Sequence, residues 1–387
     1  MQDKGFCLEY KDDEEKLVNI QKSYEALYDL SKLTEAEQNI LEAFSVFPYI
    51  LLVVDVCNQW LLSDAGVGED SDILKGLYRK GWLQFDTEQE SYAMHPVFAQ
   101  FIYEKCKPSK EKHHGLIKAC QRNLEIPESG SAIECQKYIP FAESIVEKVD
   151  MEKDIEYVGF ISSIAYLLYY IAEYKKAEEL YEKELRIRER VLGEGHSDTA
   201  TSYGYLAGVY EKQGEYDKAK ELFEKSLTIY EKNSKENILY IAATYNNIAL
   251  VYRQQGKDNE AKDLFEKSLA IHEKELGEKS HSILENYCNL SLVYLDLGNL
   301  DEAERLCIKA LNISKEVWGE NDIVTARNYG NLGCLYNDQG RYEEAEQLHK
   351  KALKYLKKSW EKITQILPKV IIIWQAYIEI WVYMKVL

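Results

Sequence analysis

Proline is scarce in this 387-residue chain. Only 6 copies occur, and none lies between residues 141 and 367. Proline removes a backbone donor and clashes with the preceding helical turn, so it interrupts helices. Its absence over more than half of the chain therefore favours long, unbroken helices there.

Paired cysteines are also missing. No two of the eight cysteines form a C-x-x-C pair, and none combines with histidine at zinc-site spacing; they stand at positions 7, 57, 106, 120, 135, 288, 307 and 334. The pattern predicts free thiols in a reducing cytoplasm, and no metal site. The N-terminal stretch MQDKGFCLEYKDDEE lacks the basic and apolar segments of a signal peptide.

Positive charge is in deficit. The sequence holds 48 lysines and arginines against 66 acidic residues, a formal net charge of −18. Such a surface repels phosphate groups, so we expect neither nucleic acid nor an anionic membrane as a partner.

Motifs of nucleotide and hydrolase chemistry are absent. No G-x-x-x-x-G-K-[ST], G-x-S-x-G or H-E-x-x-H occurs, and GVGED (66–70) lacks the phosphate-binding lysine. His113 and His114 have no acidic partner at ligand spacing, and we expect an exposed, solvated pair. The sequence therefore predicts a protein that is not an enzyme and needs no cofactor.

What the sequence does contain is a repeat of 42 residues. Four series share this period: Tyr203, Tyr245, Tyr287 and Tyr329; Tyr210, Tyr252, Tyr294 and Tyr336; Gly214, Gly256, Gly298 and Gly340; Ala219, Ala261, Ala303 and Ala345. An earlier copy keeps Ala177 in phase but has Ala172 in place of the glycine. Apolar residues within each unit have helical spacing on both sides of the glycine, which predicts two helices and a tight turn. We expect five such units over residues 157–359.

This pattern resembles the tetratricopeptide repeat (TPR), in the 42-residue form of kinesin light chains and many bacterial sensor proteins. The linker LGEGHSDTA (192–200) is similar to the L-G-x-x-H-P-x-T-A linker of that form. The resemblance implies an all-α, right-handed superhelical solenoid. It also implies a concave groove, lined by the first helix of each pair, that binds a protein or peptide.

Candidate groove residues follow from the repeat. Asn247, Asn289 and Asn331 recur just before the leucine or isoleucine of the first helix. An asparagine amide can pair with both backbone groups of an extended peptide; the alternative is that these asparagines only bridge helices. Further predicted groove positions are Tyr166, Tyr169, Tyr205, Asn246, Leu250, Arg253, Leu292, Arg327 and Asn337. With only two arginines, the set favours a partly apolar ligand over a carboxylate clamp.

The N-terminal third does not repeat. After a leader at 1–12, residues 13–106 predict a helix over LVNIQKSYEALYDL (17–30) and a capping box at Thr34–Glu37 that opens another. Further helices are predicted around 51–61 and in SDILKGLYRKGWL, followed by a hairpin in WLQFDTEQESYAM. Helices followed by a hairpin predict a winged helix. Residues 107–156 predict an imperfect helical capping repeat.

Three segments of this region resemble the winged helix of STAND (NB-ARC-like) signalling NTPases: SYEALYDLSKLTEAEQNILEAFSVFP, LKGLYRKGWLQF and YAMHPVFAQFI. The resemblance places His95 where that family's histidine contacts the phosphates of ADP, although Pro96 replaces the usual aspartate. The alternative is that His95 simply ends a wing strand. The resemblance also implies a nucleotide-binding domain as a partner, which this chain lacks.

The last segment, residues 360–387, is apolar and breaks the repeat. Lys369, Gln375, Glu379 and Lys385 interrupt it, so a membrane anchor is disfavoured. We interpret the segment as the out-of-frame translation of a sixth repeat.

Three readings of function result. The favoured one is the TPR sensor half of a STAND-type NTPase, without its nucleotide-binding domain. The second is a stand-alone adaptor like kinesin light chains. The third, a DNA-binding winged helix, is disfavoured by the negative charge and by the few cations near it, Lys75, Arg79 and Lys80.

Overall fold

The computed structural model describes residues 29–47, 52–53, 72–88, 90–107, 109, 112–125, 135–149, 154–277 and 279–366. They fall into two compact units. The first contains the described residues up to 126, residues 135–149 and Gly159–Leu167, and the second contains Asp154–Val158 and the chain from Leu168 onward. The predicted helix at 17–30, apart from its end, and the tail beyond residue 366 lie outside the described residues.

The first unit combines helices with a small sheet. Its elements are α1 (Glu35–Val46), β1 (Leu52–Val53), α2 (Asp72–Arg79), β2 (Gln84–Asp86), β3 (Ser91–Ala93), α3 (Pro96–Cys106), α4 (His114–Leu124) and α5 (Ile139–Lys148). The strands are antiparallel in the order β1–β3–β2, and Phe85 lies opposite Tyr92. The predicted hairpin is therefore confirmed.

Helix α1 begins at the predicted capping box. The Thr34 hydroxyl accepts a hydrogen bond from the Glu37 amide at 3.2 Å, and the Glu37 carboxylate accepts one from the Thr34 amide at 2.9 Å. Lys80, just after α2, also donates to Glu37 at 2.6 Å. Burial opposes the ionisation of Glu37, but these hydrogen bonds hold its pKa below the ordinary value. One carboxylate thus starts α1 and ties the end of α2 to it.

Two predictions for the first unit are wrong. Leu52 and Val53 do not begin a helix; they form β1, which pairs with Tyr92 and Ser91 of the neighbouring strand. His113 is not solvated but only 2% exposed, and its Nδ1 lies 2.9 Å from the Ser109 carbonyl oxygen. The adjacent Lys112 pairs with Glu42 of α1 at 3.2 Å, and this contact holds the turn before α4 against α1.

The second unit is built of helix pairs. Helix α6 (Val158–Tyr170) gives its middle to the first unit, and the helices that follow are α7 (Tyr174–Leu192), α8 (Ser197–Gln213), α9 (Tyr216–Lys232), α10 (Ser234–Gln254), α11 (Asp258–Leu276), α12 (His281–Asp296), α13 (Leu300–Val317), α14 (Ile323–Asp338) and α15 (Tyr342–Ile366). From α7 onward each helix packs against the next. The first helices also contact one another, α8 with α10, α10 with α12, and α12 with α14. This confirms the predicted all-α solenoid.

The turns inside the pairs need a left-handed residue. Gly214, Gly256, Gly298 and Gly340 have φ values of +81°, +71°, +76° and +76°. Glycine carries no Cβ, so it adopts this conformation at little cost and closes the helix. In the α6–α7 turn Ala172 stands at the equivalent position and takes the same conformation, with φ of 65°.

Tyrosines of the first helices join successive pairs. Three of their hydroxyls donate to a glutamate 14 residues earlier, on the preceding second helix: Tyr203 to Glu189, Tyr245 to Glu231 at 3.3 Å and Tyr287 to Glu273 at 2.5 Å. A lysine 22 residues later lies over each ring, with the ammonium 4.2 to 5.9 Å from the centroid; these are Lys225, Lys267, Lys309 and, over Tyr329, Lys351. The glutamate satisfies the hydrogen-bonding capacity of the tyrosine hydroxyl. The lysine adds a cation–π attraction at the same junction.

One junction is irregular. The linkers before α8, α12 and α14 contain Gly193, Gly277 and Gly319, each with positive φ. Between α9 and α10 the only intervening residue is Asn233, and α10 is 21 residues long. No helix in the described part of the chain is long and apolar enough to span a bilayer.

Candidate functional site

The predicted groove positions of the second unit lie on its first helices. Tyr205 is on α8; Asn246, Asn247, Leu250 and Arg253 are on α10; Asn289 and Leu292 are on α12; Arg327, Asn331 and Asn337 are on α14. We call the surface that carries these side chains the inner face. Its most accessible members are Tyr205, Leu292, Arg327 and Asn337, and the others are half-buried. On α6, Tyr166 belongs to the first unit and Tyr169 to the second.

Side chains of the inner face pair at a spacing of 43 residues. Asn289 donates from Nδ2 to Oδ1 of Asn246 at 3.0 Å, and Asn331 donates to the Cys288 sulfur at 3.5 Å. The guanidinium of Arg253 binds the Asp296 carboxylate at 2.8 Å with the same spacing. Two of the three predicted asparagines thus bridge neighbouring first helices, and Arg253 is engaged in an ion pair.

Asn247 differs from the other two asparagines. The residue 43 positions before it is Gly204, which offers no side chain to bridge to. Within the described ranges its amide makes no side-chain hydrogen bond, although the side chain is half-buried. An amide carries two donor hydrogens and an accepting oxygen, so Asn247 retains hydrogen-bonding capacity on the inner face.

Helix α8, which contacts the helix that carries Asn247, presents an aromatic ring and bare backbone. The ring of Tyr205 is 44% exposed, and its centroid lies 5.4 Å from that of Tyr181. A Cβ added at Gly208 would meet no atom within 4 Å, and one at Gly204 would meet only the Ser226 hydroxyl at 4.0 Å. A glycine inside a helix costs about 0.5–1 kcal/mol relative to alanine. The described packing around these glycines does not require them, and they leave the α8 backbone open to close approach.

The Cys288 thiol, which accepts a hydrogen bond from the inner-face residue Asn331, is poorly reactive. Cys288 donates to Oδ1 of Asn328 at 3.3 Å, and burial raises its pKa to about 11. A thiol protonated at neutral pH is a poor nucleophile. The six described cysteines are free thiols, as predicted. Within the described residues, no group of three His, Cys, Asp or Glu side chains is arranged to hold a metal ion.

His95 caps a helix. Its Nδ1 accepts a hydrogen bond from the Val97 amide at 3.3 Å at the start of α3, two residues after β3 ends. His196 caps α8 through the Asp198 amide at 3.1 Å in the same way. Capping satisfies an otherwise unpaired N–H of the first turn, so each histidine has a structural role. The nucleotide-sensing role of His95 stays a prediction.

The family comparison agrees with this periodic architecture. The model of the tetratricopeptide repeat matches residues 161–232, 240–305 and 282–358. The helix pairs are tetratricopeptide repeats. The unmatched residues 233–239 fall at the irregular junction between α9 and α10. TPR arrays mediate protein–protein interaction, so this chain carries a protein-binding module.

Solved TPR structures are similar to parts of the chain. BtubC (BKLC) from P. vanneervenii is 26% identical over 62% of this chain and 90% of its own, with a TM-score of 0.46. A putative kinesin light chain from Podosopora anserina is 24% identical over 51% of this chain and 94% of its own, with a TM-score of 0.45. A STAND protein with a TPR sensor from Pyrococcus horikoshii is 16% identical over 90% of this chain and 54% of its own, with a TM-score of 0.46. No curated protein matches the sequence significantly.

Proposed function

We propose that the inner face of the TPR array binds an extended segment of a partner protein, centred on Tyr205 and Asn247. The observation that carries this proposal is the amide of Asn247, which has no hydrogen-bond partner in the described part of the chain, whereas Asn289 and Asn331 have bridging partners. An extended peptide presents N–H and C=O groups that this amide can pair. The open backbone at Gly204 and Gly208 gives the peptide room next to the Tyr205 ring.

The chemistry of the inner face favours a partly apolar ligand. Leu250 and Leu292 lie among the amides, and Leu292 is 40% exposed. Arg253 is paired with Asp296, so its charge is not free to hold a terminal carboxylate. Tyr205 supplies a large exposed ring of the kind that dominates binding energy in protein interfaces.

The test starts from a displayed library of random peptides selected on the full chain. Binding of a selected peptide is then measured by fluorescence polarisation for Asn247→Ala, Tyr205→Ala and the control Asn331→Ala. We expect the first two variants to weaken binding at least tenfold, about 1.4 kcal/mol or more. Asn331→Ala should lower stability and change affinity much less. Equal losses in Asn247→Ala and Asn331→Ala would contradict the assignment of the centre.

We propose further that this array is the ligand-sensing part of a STAND-type switch, whose partner is a nucleotide-binding domain. Support comes from the three quoted segments and from the helices and three-stranded sheet that precede the array. The second candidate is an adaptor of the kinesin-light-chain type, which the 42-residue period supports equally.

Sequencing of the locus upstream of Met1 and across codons 350–387 separates these candidates. An upstream G-x-x-x-x-G-K-[ST] in the same reading frame supports the switch. A stop codon and a ribosome-binding site directly before Met1 support the adaptor.

A further inference from the structure

A recess is lined by three successive helices of the array. It is formed by α9, α10 and α11, has a volume of about 280 Å³, and is lined by Glu224, Leu227, Ile248, Tyr252, Glu260, Asp263 and Leu264. Three aliphatic side chains and a tyrosine ring line its apolar part, and three carboxylates complete the lining. None of these residues is among the predicted groove positions.

The carboxylates of this recess are incompletely neutralised. Lys220 lies 3.7 Å from Glu224, and its ammonium is 5.1 Å from the Tyr252 centroid. Lys257 also reaches the ring, at 5.6 Å, but donates to Gln255 rather than to a carboxylate. Among the described residues, no cation lies within ion-pair distance of Glu260 or Asp263.

The next repeat has an arginine at the position of Asp263. Arg305 stands 42 residues after Asp263, and Glu302 stands 42 residues after Glu260. The Arg305 guanidinium donates from Nε to Glu302 at 2.9 Å, in the repeat whose Tyr294 is the counterpart of Tyr252. This repeat therefore supplies its own guanidinium to the carboxylate.

The other two repeats do the same with different residues. In the preceding one, Lys218 replaces Glu260, pairs with Glu215 and lies 5.0 Å from the Tyr210 centroid. In the last one, Arg341 lies 3.6 Å from the Tyr336 centroid and binds Glu344 at 2.7 Å. Among the described residues of these four repeats, only the α10–α11 repeat presents two carboxylates at these positions without an ion-pair partner.

We propose that this recess binds an arginine side chain of a partner protein. The guanidinium pairs with Glu260 and Asp263 as Arg305 pairs with Glu302, and its plane stacks on the Tyr252 ring. The aliphatic stem packs on Leu227, Ile248 and Leu264. Arginine suits the site better than lysine because its planar fork can bind two carboxylates and stack on an aromatic face. This site is independent of the proposed peptide groove.

Methyl NMR on the full chain tests the proposal with Nα-acetyl-arginine amide as the probe. The Ile248 methyl group should shift saturably, and the shift should weaken as salt is added. The methyl groups of Leu290, the counterpart of Ile248 in the repeat that holds Arg305, should not respond. Nα-acetyl-citrulline amide, a neutral analogue of the same shape, should bind at least tenfold more weakly.

Two opposite variants make the test decisive. Asp263→Arg places a guanidinium where Arg305 stands in the next repeat and should reduce probe affinity at least tenfold. Arg305→Asp should make the Leu290 methyl groups respond to the probe. Asp263→Asn replaces Asp263→Arg if the latter does not fold, as judged by circular dichroism. An Ile248 response that Asp263→Arg or Asp263→Asn leaves unchanged, or that citrulline amide reproduces, overturns the proposal.

Discussion

At the scale of single residues, the most informative position is the alanine that replaces a turn glycine. Ala172 holds φ of 65° where four other turns have glycine. A left-handed conformation brings Cβ too close to the following carbonyl oxygen, at a cost of roughly 1–2 kcal/mol for an L-residue.

We therefore expect Ala172→Gly to stabilise the second unit. The gain should be about 1 kcal/mol, reduced by the greater freedom of glycine in the unfolded chain. Urea unfolding followed by circular dichroism measures it. The matched control is Gly214→Ala, at the next turn along the array, which should lose a similar amount. A destabilised Ala172→Gly protein would show that the left-handed conformation of Ala172 costs less than the added freedom of glycine in the unfolded chain.

The stability of the array should depend on tyrosine ionisation at alkaline pH. The Tyr294 hydroxyl donates a hydrogen bond to the Glu266 carboxylate at 2.8 Å. Burial and this carboxylate raise the pKa of Tyr294 to about 12. Burial and Glu178 likewise raise the pKa of Tyr210 to about 12. Since the ordinary value is near 10, the stabilisation is complete below pH 10 and is lost as pH rises through about 12.

Unfolding free energies measured by urea between pH 8 and 12 should therefore fall above pH 10. In Tyr294→Phe the fall should be shallower, because one of the ionising groups is gone. Tyr342→Phe, at an exposed tyrosine, serves as the control and should keep the parental slope. A Tyr294→Phe curve parallel to that of the parent would contradict the coupling.

At the scale of single helices, α8 contains two interior glycines that lower its intrinsic helix stability. Gly204 and Gly208 lie in its interior, and the described structure leaves open space at Gly208. Glycine in a helix lowers stability but lets another backbone approach closely. We therefore expect a bound peptide to lie against this side of α8.

Gly208→Ala should accordingly separate stability from binding. It should stabilise α8 by about 0.5–1 kcal/mol because alanine is the better helix former. It should weaken a groove-selected peptide because the methyl group fills the space beside Tyr205. Thermal unfolding and fluorescence polarisation measure the two effects.

Gly330→Ala in α14 is the matched control, since a Cβ there also meets nothing within 4 Å. It should stabilise its helix with little effect on binding near Tyr205. Unchanged peptide affinity in Gly208→Ala would place the ligand elsewhere on the inner face.

At the scale of the whole molecule, the repeat array is held together by neighbours. Each helix from α7 onward contacts the next, and first helices contact first helices. Stability of such an array is approximately a sum of repeat terms and nearest-neighbour interfaces, so one weak interface can divide it. Phe265 of α11 is fully buried in the cluster that joins the α10–α11 pair to the α12–α13 pair.

We expect Phe265→Ala to cost about 3–5 kcal/mol and to divide the unfolding transition of the array into two steps. Hydrogen exchange followed by mass spectrometry should show α12–α15 opening before α8 and α9. Phe223→Ala, one repeat earlier, is the companion variant and should move the weak point toward the N-terminus. A single cooperative transition in both variants would contradict nearest-neighbour stability.

The sequence by itself determined the repeat. Tyr203, Gly214, Ala219 and their counterparts act within their own pair or on a neighbouring one, so a fixed period of 42 residues specifies helices, turns and core together. The capping box at Thr34 and the hairpin that ends at Ala93 are equally local, and the sequence predicted both. Such features need no knowledge of how distant segments meet.

Only the tertiary structure decided which side chains of the repeat meet. Asn247, Asn289 and Asn331 are equivalent in sequence, yet among the described residues only Asn289 and Asn331 bridge helices. The packing of the helices puts the partner 43 residues earlier, and there Asn247 has Gly204. The buried His113 and the strand at Leu52–Val53 depend in the same way on distant segments. The recess at Glu260 and Asp263 also depends on the tertiary structure, because helices from different parts of the chain form it and determine which carboxylates have cations nearby.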